Sequence, residues 1–515
     1  GTALHEGVDW NWETFPEFLD AIEKKDFVMD LGFMIGHGPL RSYVMGYERC
    51  QSQVDASKEE ISKMSDIVTE AIESGALGFS TSRTILHRDV HGVYVPGTEA
   101  SSEEMKSLAF AIDKAGEGTL EIVSDWLDKE IEMSWMREYV EKSDCGLTVL
   151  QTSGDAVKTI LFCEEQFLKG KNVRPQFPGR NVGMMFGLES SLHPFIGHPS
   201  YREIADLPLS ERVKIMKDPA FKEKLLNEKP NFASEIEKSM NEQGNTKSQE
   251  EIKEAANLGL KLISNYDTQF ILGDPPNYEP GKEDSIAALA KSKGIAELEV
   301  IYDEFLKNEG TNLVYACFTP YDNHKLDFVE RAYSLKSSVA GGSDGGAHCG
   351  LICDASMPTT NLSHWARDRE AGKKIPIELI VRKQTKDTAE TYGLFDRGEI
   401  KTGMLADLNI IDFEKLNVTH PKMVYDLPLG GRRLIQTSSG YLATVKSGEV
   451  VYEAGEATGV LPGKLIRGKQ TCEVKTEKER VPFIDRTLRL MSVKAFKLLW
   501  NFRKSSVKTT VVSDD

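Results

Sequence analysis

Apolar segments alternate with segments of helical periodicity over the first 150 residues of the chain. Residues 27–36 (FVMDLGFMIG) are almost continuously apolar and end in glycine, a pattern typical of a strand buried on both faces. Residues 57–60 (SKEE) form a capping box, and the apolar positions that follow at helical spacing predict a helix that ends at Gly75. A short strand at 76–80 completes this first unit.

The same unit recurs twice along the chain. A capped helix at 101–116 precedes a strand at 120–123, and a helix at 126–142 precedes a strand at 147–151. Strands that alternate with helices indicate parallel pairing, because each crossover needs an intervening helix. No G-x-G-x-x-G follows a predicted strand and no G-x-x-x-x-G-K-[ST] occurs. The sequence therefore favours a closed (β/α) barrel over an open, doubly wound sheet.

Three later regions differ from this pattern. Residues 200–310 are rich in Lys and Glu with helical periodicity, which predicts a helical insertion, either over the mouth of the barrel or as a peripheral bundle. Short strands after residue 403 predict a small β-sandwich domain at 403–474, so that the barrel and its insertion occupy 1–402. The tail, 475–515, is a basic amphipathic segment. We expect it to dock on the body or on a second subunit, and the alternative is a membrane surface.

Composition and charge narrow the classes of function. The 515 residues carry 63 Lys and Arg against 80 Asp and Glu, a net charge of −17, with no dense basic tract in the main body. A nucleic-acid partner is therefore not expected. Seven scattered cysteines argue against a disulfide framework and favour a reducing compartment, which we expect to be cytoplasmic. No apolar run reaches the roughly 18 residues that span a bilayer, so the tail is the only feature that suits a membrane.

The segment 341–350 (GGSDGGAHCG) sets one carboxylate and one imidazole among five glycines, directly after a predicted strand. Loops at the carboxyl ends of barrel strands build the active site. Glycines there let a metal or substrate approach closely, so Asp344 is a candidate metal ligand and general base. His348 would orient Asp344 or donate to an oxyanion. On the residues alone, a glycine-rich turn with Asp344 as a helix cap is an equal alternative.

Several long segments resemble the amidohydrolase superfamily, in particular the D-aminoacylase group of N-acyl-D-amino-acid deacylases. The resemblance runs over most of residues 10–470. The segments that carry it are IGHGPLR (35–41), SGALGFSTSRTILHRDVHGVYVPGT (74–98), GGSDGGAHCGLICDASMPTTNLSHWARDR (341–369), YGLFDRGEIKTGMLADLNIIDF (392–413) and DLPLGGRRLIQ (426–436).

The resemblance implies a metal-dependent, TIM-like (β/α)8 barrel with a small β-sandwich, which hydrolyses a non-peptide amide bond with zinc or another divalent metal. It also implies that Asp344 ends the eighth strand, binds the metal and acts as the general base. In that group a His-x-His on the first strand and a Cys on the second would precede residue 1. We therefore expect a chain truncated ahead of its third strand, with the remaining ligands and half of the β-sandwich in the missing segment.

A second departure concerns the fifth and sixth strands, which carry metal-binding histidines in the D-aminoacylases. This chain has EIVSD at 121–125 and TVLQ at 148–151 in those places, with no histidine. We expect a mononuclear metal site, and the alternative is a relative that has lost its metal. Cys349 and Cys353, spaced C-x3-C, are expected to be reduced thiols rather than ligands of a second zinc.

Basic and polar residues near other strand ends are candidates for substrate binding. Arg83, His87 and Arg88 follow the strand that corresponds to the fourth in the resemblance. A guanidinium there would bind a substrate carboxylate, and the alternative is salt bridging to the acidic surface. Gln151, in the place of a ligand histidine, would hydrogen-bond the substrate. Further candidates are His37, Arg41, Arg180 and His193, of which the first two are expected to make structural hydrogen bonds.

These features together predict an amidohydrolase that acts on a small molecule with an amide and a carboxylate. The sequence leaves open whether the protein is a homo-oligomer. Two alternative functions are a cyclic-amide hydrolase and a catalytically silent binding or assembly protein. The missing histidines and the basic tail suggest the second alternative.

Overall fold

A parallel sheet forms the first part of the computed structural model, and smaller antiparallel sheets follow it. The structure describes residues 2–88, 93–126, 128–151, 157–232, 257, 259–343, 345–346 and 348–472. The strands, in chain order, are β1 (Ile35–Gly36), β2 (Gly78–Arg83), β3 (Thr119–Ser124), β4 (Gly146–Leu150), β5 (Val173–Pro178), β6 (Val182–Phe186), β7 (Gln269–Ile271), β8 (Val314–Thr319), β9 (Val339–Gly341), β10 (Leu408–Ile411), β11 (Asn417–Val418), β12 (Lys422–Leu427), β13 (Gly431–Ile435), β14 (Ser438–Ser439), β15 (Tyr441–Lys446), β16 (Glu449–Glu453) and β17 (Glu456–Ala457).

Helices connect the strands of the parallel sheet and cover its outer face. A π-helical segment, Asn361–Asp368, follows the last of its strands. The α-helices are Thr2–Gly7, Phe15–Glu23, His37–Met45, Tyr47–Gln51, Lys58–Glu73, Ser102–Ala115, Lys129–Lys142, Val157–Leu168, Pro199–Arg202, Leu209–Met216, Pro219–Asn227, Ile286–Lys293, Glu297–Phe305, Asp327–Ser334, Met357–Thr360, Ile377–Gln384 and Lys386–Thr391.

The strand order distinguishes the two predicted architectures. The parallel sheet runs β1-β2-β3-β4-β5-β9, so its strands follow one another in chain order without a reversal, and β6 to β8 between β5 and β9 belong to another sheet. A doubly wound sheet reverses its order at a switch point, whereas a barrel adds its strands in sequence. The prediction of a TIM-like barrel with an additional domain is confirmed.

The helices begin where the capping residues predicted. Ser57 accepts a hydrogen bond from the Glu60 N–H and Glu60 caps the Ser57 N–H in return, which starts the helix Lys58–Glu73. Alternate residues of β2, β3 and β4 face these helices, so that Phe79, Leu120 and Val149 lie fully buried in one apolar cluster.

The prediction of a strand over residues 27–36 was wrong for most of its length. Only Ile35–Gly36 pairs within the sheet, while Phe27 and Leu31 form isolated bridges to Gly463 and Leu465. The Asp30 carboxylate causes this departure, because it pairs with Arg397 at 2.7 Å and accepts the Lys464 N–H at 2.9 Å. The segment is thereby held against the C-terminal region.

The insertion is not purely helical, which corrects the prediction for residues 200–310. Strand β7 lies within it and pairs antiparallel with β8, which also pairs with β6. These three strands form a separate sheet that begins just after β5 ends at Pro178. The insertion therefore leaves the barrel from the carboxyl end of a barrel strand. Residues 233–256 lie outside the described ranges.

Short antiparallel strands follow residue 403, as the sequence predicted. Strands β10, β15, β16 and β17 form one sheet, and β12 and β13 form a hairpin. The turn between β15 and β16 uses Ser447 and Gly448, both at positive φ, which suits a tight hairpin. The basic tail at 475–515 lies outside the described residues. No helix in the described ranges is long and apolar enough to cross a membrane.

Candidate active site

The carboxyl ends of the parallel strands share one edge of the sheet. Because the active sites of barrel enzymes lie at this edge, the residues that follow each strand are the candidates. They are His37 after β1, Arg83 at the end of β2, Asp125 after β3, Gln151 after β4, Arg180 after β5 and the glycine-rich loop after β9.

The glycine-rich loop turns sharply directly after β9. Gly342 and Gly346 have φ of +75° and +109°, a backbone region that residues with a Cβ rarely adopt. Apart from its chain neighbours, no atom of the described residues lies within 4 Å of the position that a Cβ on Gly346 would take. The loop therefore leaves space at the carboxyl edge of the sheet. Asp344 and Ala347 lie outside the described residues, so the role of Asp344 stays a prediction.

His348 occupies an unusual position in this loop. Its φ is +46° and its side chain is exposed. Its carbonyl accepts the Leu351 and Ile352 N–H groups at 2.8 and 2.9 Å. A positive φ is unfavourable for histidine, and such strain occurs often at functional sites. The geometry is compatible with the predicted role of His348 in the chemistry.

Two of the three guanidinium nitrogens of Arg83 donate hydrogen bonds to other residues of the protein. Its Nε donates to Glu132 at 2.7 Å, and its Nη1 donates to the Gly97 and Ala100 carbonyls at 3.3 and 2.9 Å. These bonds fasten the loop after β2 to the helix Lys129–Lys142. The structure thus gives Arg83 a structural task, in place of the expected contact with a substrate carboxylate.

His87 and Arg88 are also engaged with the protein. His87 Nδ1 lies 2.6 Å from Ser82 Oγ. Arg88 donates to the Ile85 carbonyl at 3.1 Å and stacks on the ring of Tyr94, 4.4 Å from its centroid. Because both side chains hold the loop in place, neither presents an unused cation to a substrate carboxylate.

Gln151, unlike Arg83, His87 and Arg88, has a buried side-chain amide that makes no hydrogen bond to the described residues. Its side chain is buried, with 1% of its surface exposed, and its backbone N–H donates to the Gln176 carbonyl at 2.8 Å. Among the residues that the structure describes, neither its amide oxygen nor its amide nitrogen has a hydrogen-bond partner. A buried amide without partners costs free energy, so its presence at the end of β4 favours a ligand that completes its hydrogen bonds.

Four of the further candidates are structural. His37 is buried between Thr81 Oγ1 and Glu104 Oε1, each 2.8 Å away, and Arg41 pairs with the same carboxylate oxygen at 3.1 Å. Burial lowers the pKa of His37 more than the Glu104 carboxylate raises it. Sequence patterns did not indicate Glu104 as the partner of His37, because the two lie 67 residues apart in the chain.

Arg180 is fully buried. His193 packs on aromatic rings in the insertion, where burial lowers its pKa to about 3.

A divalent metal does not fit the described residues by themselves. No three of their His, Cys, Asp and Glu side chains come together as a set that could hold a metal ion. At the strand ends, Asp125 accepts the Ile85 N–H at 2.7 Å, and Gln151 is a poor ligand. Cys349 and Cys353 are free thiols, and burial raises the pKa of Cys353 to about 11, which supports their prediction as reduced thiols. No catalytic step is therefore assigned to a metal here.

Two cavities lie away from this edge. One, of about 610 Å³, opens at the amino-terminal edge of the sheet and is lined by the loops that precede β2 to β5. The other, of about 760 Å³, is lined by residues of the insertion and by the π-helical segment, and contains Glu279 and His364. Neither includes the glycine-rich loop. Barrel enzymes react at the opposite edge from the first cavity, so we assign it no catalytic role.

Comparisons with known proteins agree with this arrangement. The sequence profile of the amidohydrolase family matches residues 4–452. An uncharacterized protein of Mycobacterium tuberculosis is 24% identical over 476 residues, 87% of this chain and 72% of the relative. The D-aminoacylase of Alcaligenes xylosoxydans xylosoxydans is 24% identical over 413 residues, 79% of this chain and 66% of the enzyme.

Solved structures show the same fold. A D-aminoacylase structure described for its binuclear metal center has a TM-score of 0.51 and 17% identity, over 88% of this chain and 75% of that one. At this identity the likeness concerns the fold alone, whereas the profile match extends over most of the sequence. The chain belongs to the amidohydrolase family, and it is a metal-dependent hydrolase of carbon–nitrogen bonds other than peptide bonds.

Proposed function

We propose that this protein removes the acyl group from N-acylated amino acids, with the D configuration preferred and zinc as its metal. The observation that carries the proposal is the open glycine-rich loop at the carboxyl edge of the barrel sheet. An edge of this kind is where barrel enzymes bind and convert their substrates. The D-aminoacylase among the relatives supports the choice of substrate class.

The residues of the chain have distinct roles in the proposed reaction. Asp344 takes a proton from the attacking water and returns it to the leaving nitrogen, which is what a general base at this position would do. His348 donates to the oxygen on which negative charge develops. Gln151 supplies the two hydrogen-bonding groups that its own surroundings leave unused. Of these three, only His348 and Gln151 have described positions.

The cysteines support a reducing compartment. All seven are free, and Cys163 and Cys317 are fully or nearly fully buried. Burial raises the pKa of Cys163 to about 12, which keeps the thiol protonated and unreactive. We therefore propose a cytoplasmic location.

Purified full-length protein tests the function. Zinc content is measured by atomic spectrometry, and hydrolysis is measured for N-acetyl-D-amino acids, their L enantiomers and a cyclic amide such as dihydrouracil. We expect bound zinc, turnover of the D substrates, and a loss of at least about 100-fold in kcat with Asp344→Asn. His348→Asn should lower kcat by a smaller factor.

Matched controls are Asp267→Asn, at an exposed residue of the insertion, and His324→Asn, at a half-buried residue after β8 whose Nε2 lies 2.8 Å from the Asp267 carbonyl. Both should keep the kcat of the unchanged protein. Protein without zinc, in which Asp344→Asn alters nothing, would contradict the proposal and favour a silent binding protein. Turnover of dihydrouracil alone would favour a cyclic-amide hydrolase.

A further inference from the structure

The β12–β13 hairpin of the C-terminal region packs on the glycine-rich loop. The Leu434 N–H donates to the Cys349 carbonyl at 2.6 Å, and Cys349 Sγ lies 3.8 Å from the Arg432 carbonyl. At the other end of the hairpin, Pro428 packs against Gly7, where an added Cβ would lie 2.8 Å from the proline ring. The hairpin therefore lies between the first helix and the loop that carries His348.

Two adjacent arginines on β13 have opposite surroundings. Arg433 forms a two-point ion pair with Asp426 across the hairpin, with both N–O distances at 2.7 Å. The Arg432 side chain has no hydrogen bond or ion pair with any residue in the described ranges. Successive side chains of a strand point to opposite faces, so one arginine belongs to the outer face and the other to the inner face.

Arg432 lies over the glycine-rich loop. Its Nε would be 3.6 Å from a Cβ placed on Gly350, so guanidinium and loop backbone are close neighbours. His348 is two residues earlier in the same loop, with an exposed side chain. A guanidinium without a partner among the described residues, beside a loop at the carboxyl edge, suits a planar carboxylate, which accepts two parallel hydrogen bonds.

Other arginines near the strand ends already have protein partners or are fully buried. Arg83 and Arg88 were expected to bind the substrate carboxylate, but both hold the loop after β2. Arg41 and Arg180 are fully buried, where no substrate reaches them. Arg432, beside Gly350 of the glycine-rich loop, is the remaining candidate.

We infer that Arg432, delivered by the β12–β13 hairpin, binds the carboxylate of the substrate while His348 and Asp344 act on the amide. This inference rests on the proposed function, because it assigns a residue to the acid group of that substrate. It makes the small β region part of the active site and not only a support for the barrel.

The test compares Arg432→Gln with Arg433→Gln in the full-length protein. The substrates are N-acetyl-D-leucine and its methyl ester, which lacks the negative charge. We expect Arg432→Gln to raise KM for the acid about 10-fold with kcat nearly unchanged, because a charge-assisted hydrogen bond is lost. KM for the ester should stay constant, and Arg432→Lys should restore part of the loss.

Arg433→Gln should leave both KM values unchanged. Equal effects of the two substitutions, or an equal effect of Arg432→Gln on acid and ester, would overturn the inference. If the unchanged protein hydrolyses neither substrate, the proposed function fails instead. Calorimetric measurement of N-acetyl-D-leucine binding then tests the inference. The dissociation constant of Arg432→Gln must be about 10-fold higher than that of Arg433→Gln. No binding to the unchanged protein also overturns it.

Discussion

Arg180 Nη2 lies 3.1 Å from Asp354 Oδ1, and both side chains are fully buried. The guanidinium also stacks on Tyr278, 3.5 Å from the ring centroid, and donates to the Cys353 carbonyl at 3.0 Å. Arg180 follows β5 and Asp354 follows the glycine-rich loop. This ion pair therefore joins the segment after the glycine-rich loop to the segment after β5.

Breaking this pair should destabilise the protein strongly. Asp354→Asn leaves the Arg180 charge buried without its carboxylate, so we expect a loss of about 3–5 kcal/mol in the free energy of unfolding. Denaturant titration measures the loss. Asp426→Asn, which breaks the exposed pair with Arg433, should lower stability far less, because water screens this pair. Equal losses for the two variants would show that burial does not set the strength of these pairs.

Gln151 offers a test that separates stability from function. Gln151→Met removes a buried amide without partners, so stability should stay constant or rise by about 1 kcal/mol, while KM for the acyl amino acid rises. Gln176 is the matched control, because its buried amide donates to the Tyr392 hydroxyl at 3.1 Å. Gln176→Met should lower stability by about 1 kcal/mol. A similar loss with Gln151→Met would mean that its amide has a structural partner after all.

Glu279 predicts a specific dependence of stability on pH. Burial alone would raise its pKa, but hydrogen bonds from His364, Arg369 and the Leu326 N–H outweigh this and lower it from 4.5 to about 2. A carboxyl with a lower pKa in the folded state stabilises the protein above its unfolded pKa. That contribution, on the order of 3 kcal/mol, is lost as the pH falls from about 4.5 toward 2.

Glu279→Gln should therefore be less stable than the unchanged protein at pH 7, and the difference should shrink by pH 3. Denaturant titrations at the two pH values measure it. Glu283→Gln changes an exposed carboxyl that lines the same cavity, and should show no such dependence. A Glu279→Gln difference that stays constant with pH would contradict the assignment.

Gly78 should be intolerant of any side chain. A Cβ on this residue would lie 1.9 Å from the Thr119 carbonyl oxygen, where β2 meets β3. Gly78→Ala must push the two strands apart, and we expect a loss of about 3 kcal/mol or more in thermal or denaturant unfolding. Gly259→Ala is the control, because no atom in the described ranges, apart from its chain neighbours, lies within 4 Å of its added Cβ. Similar stability of both variants would contradict the close approach of the strands.

For the basic residues at the end of β2 and in the loop after it, the sequence predicted their positions but not their partners. Arg83 and Arg88 were chosen by residue type and by position after a strand, and both lie there. What the sequence lacked was the partner of Arg83, Glu132, which lies 49 residues away on another helix. An arginine beside a loop has the same local pattern whether its partner is a substrate or a distant carboxylate.

In the motif DLPLGGRRLIQ, by contrast, the structure indicates a role that the sequence did not predict. The sequence identified it as part of the family resemblance, but gave it no task. Only the folded hairpin separates Arg432 from Arg433, because the pairing of β12 with β13 joins Arg433 to Asp426 and leaves its neighbour over the glycine-rich loop. The contact of Arg433 with Asp426 spans only seven residues, whereas the place of Arg432 beside the glycine-rich loop depends on segments about 80 residues apart in the chain.

The sequence by itself determined the alternation of strands and helices, the helix starts at Ser57 and Ser101, and the position of the glycine-rich turn after a strand. These features depend on neighbouring residues, through side-chain periodicity, capping and the backbone freedom of glycine. The tertiary structure alone decided that Asp30 holds residues 27–32 against the C-terminal region, and which arginines at the carboxyl edge of the sheet have ion-pair partners among the described residues. Those outcomes depend on contacts between distant segments, which local patterns do not contain.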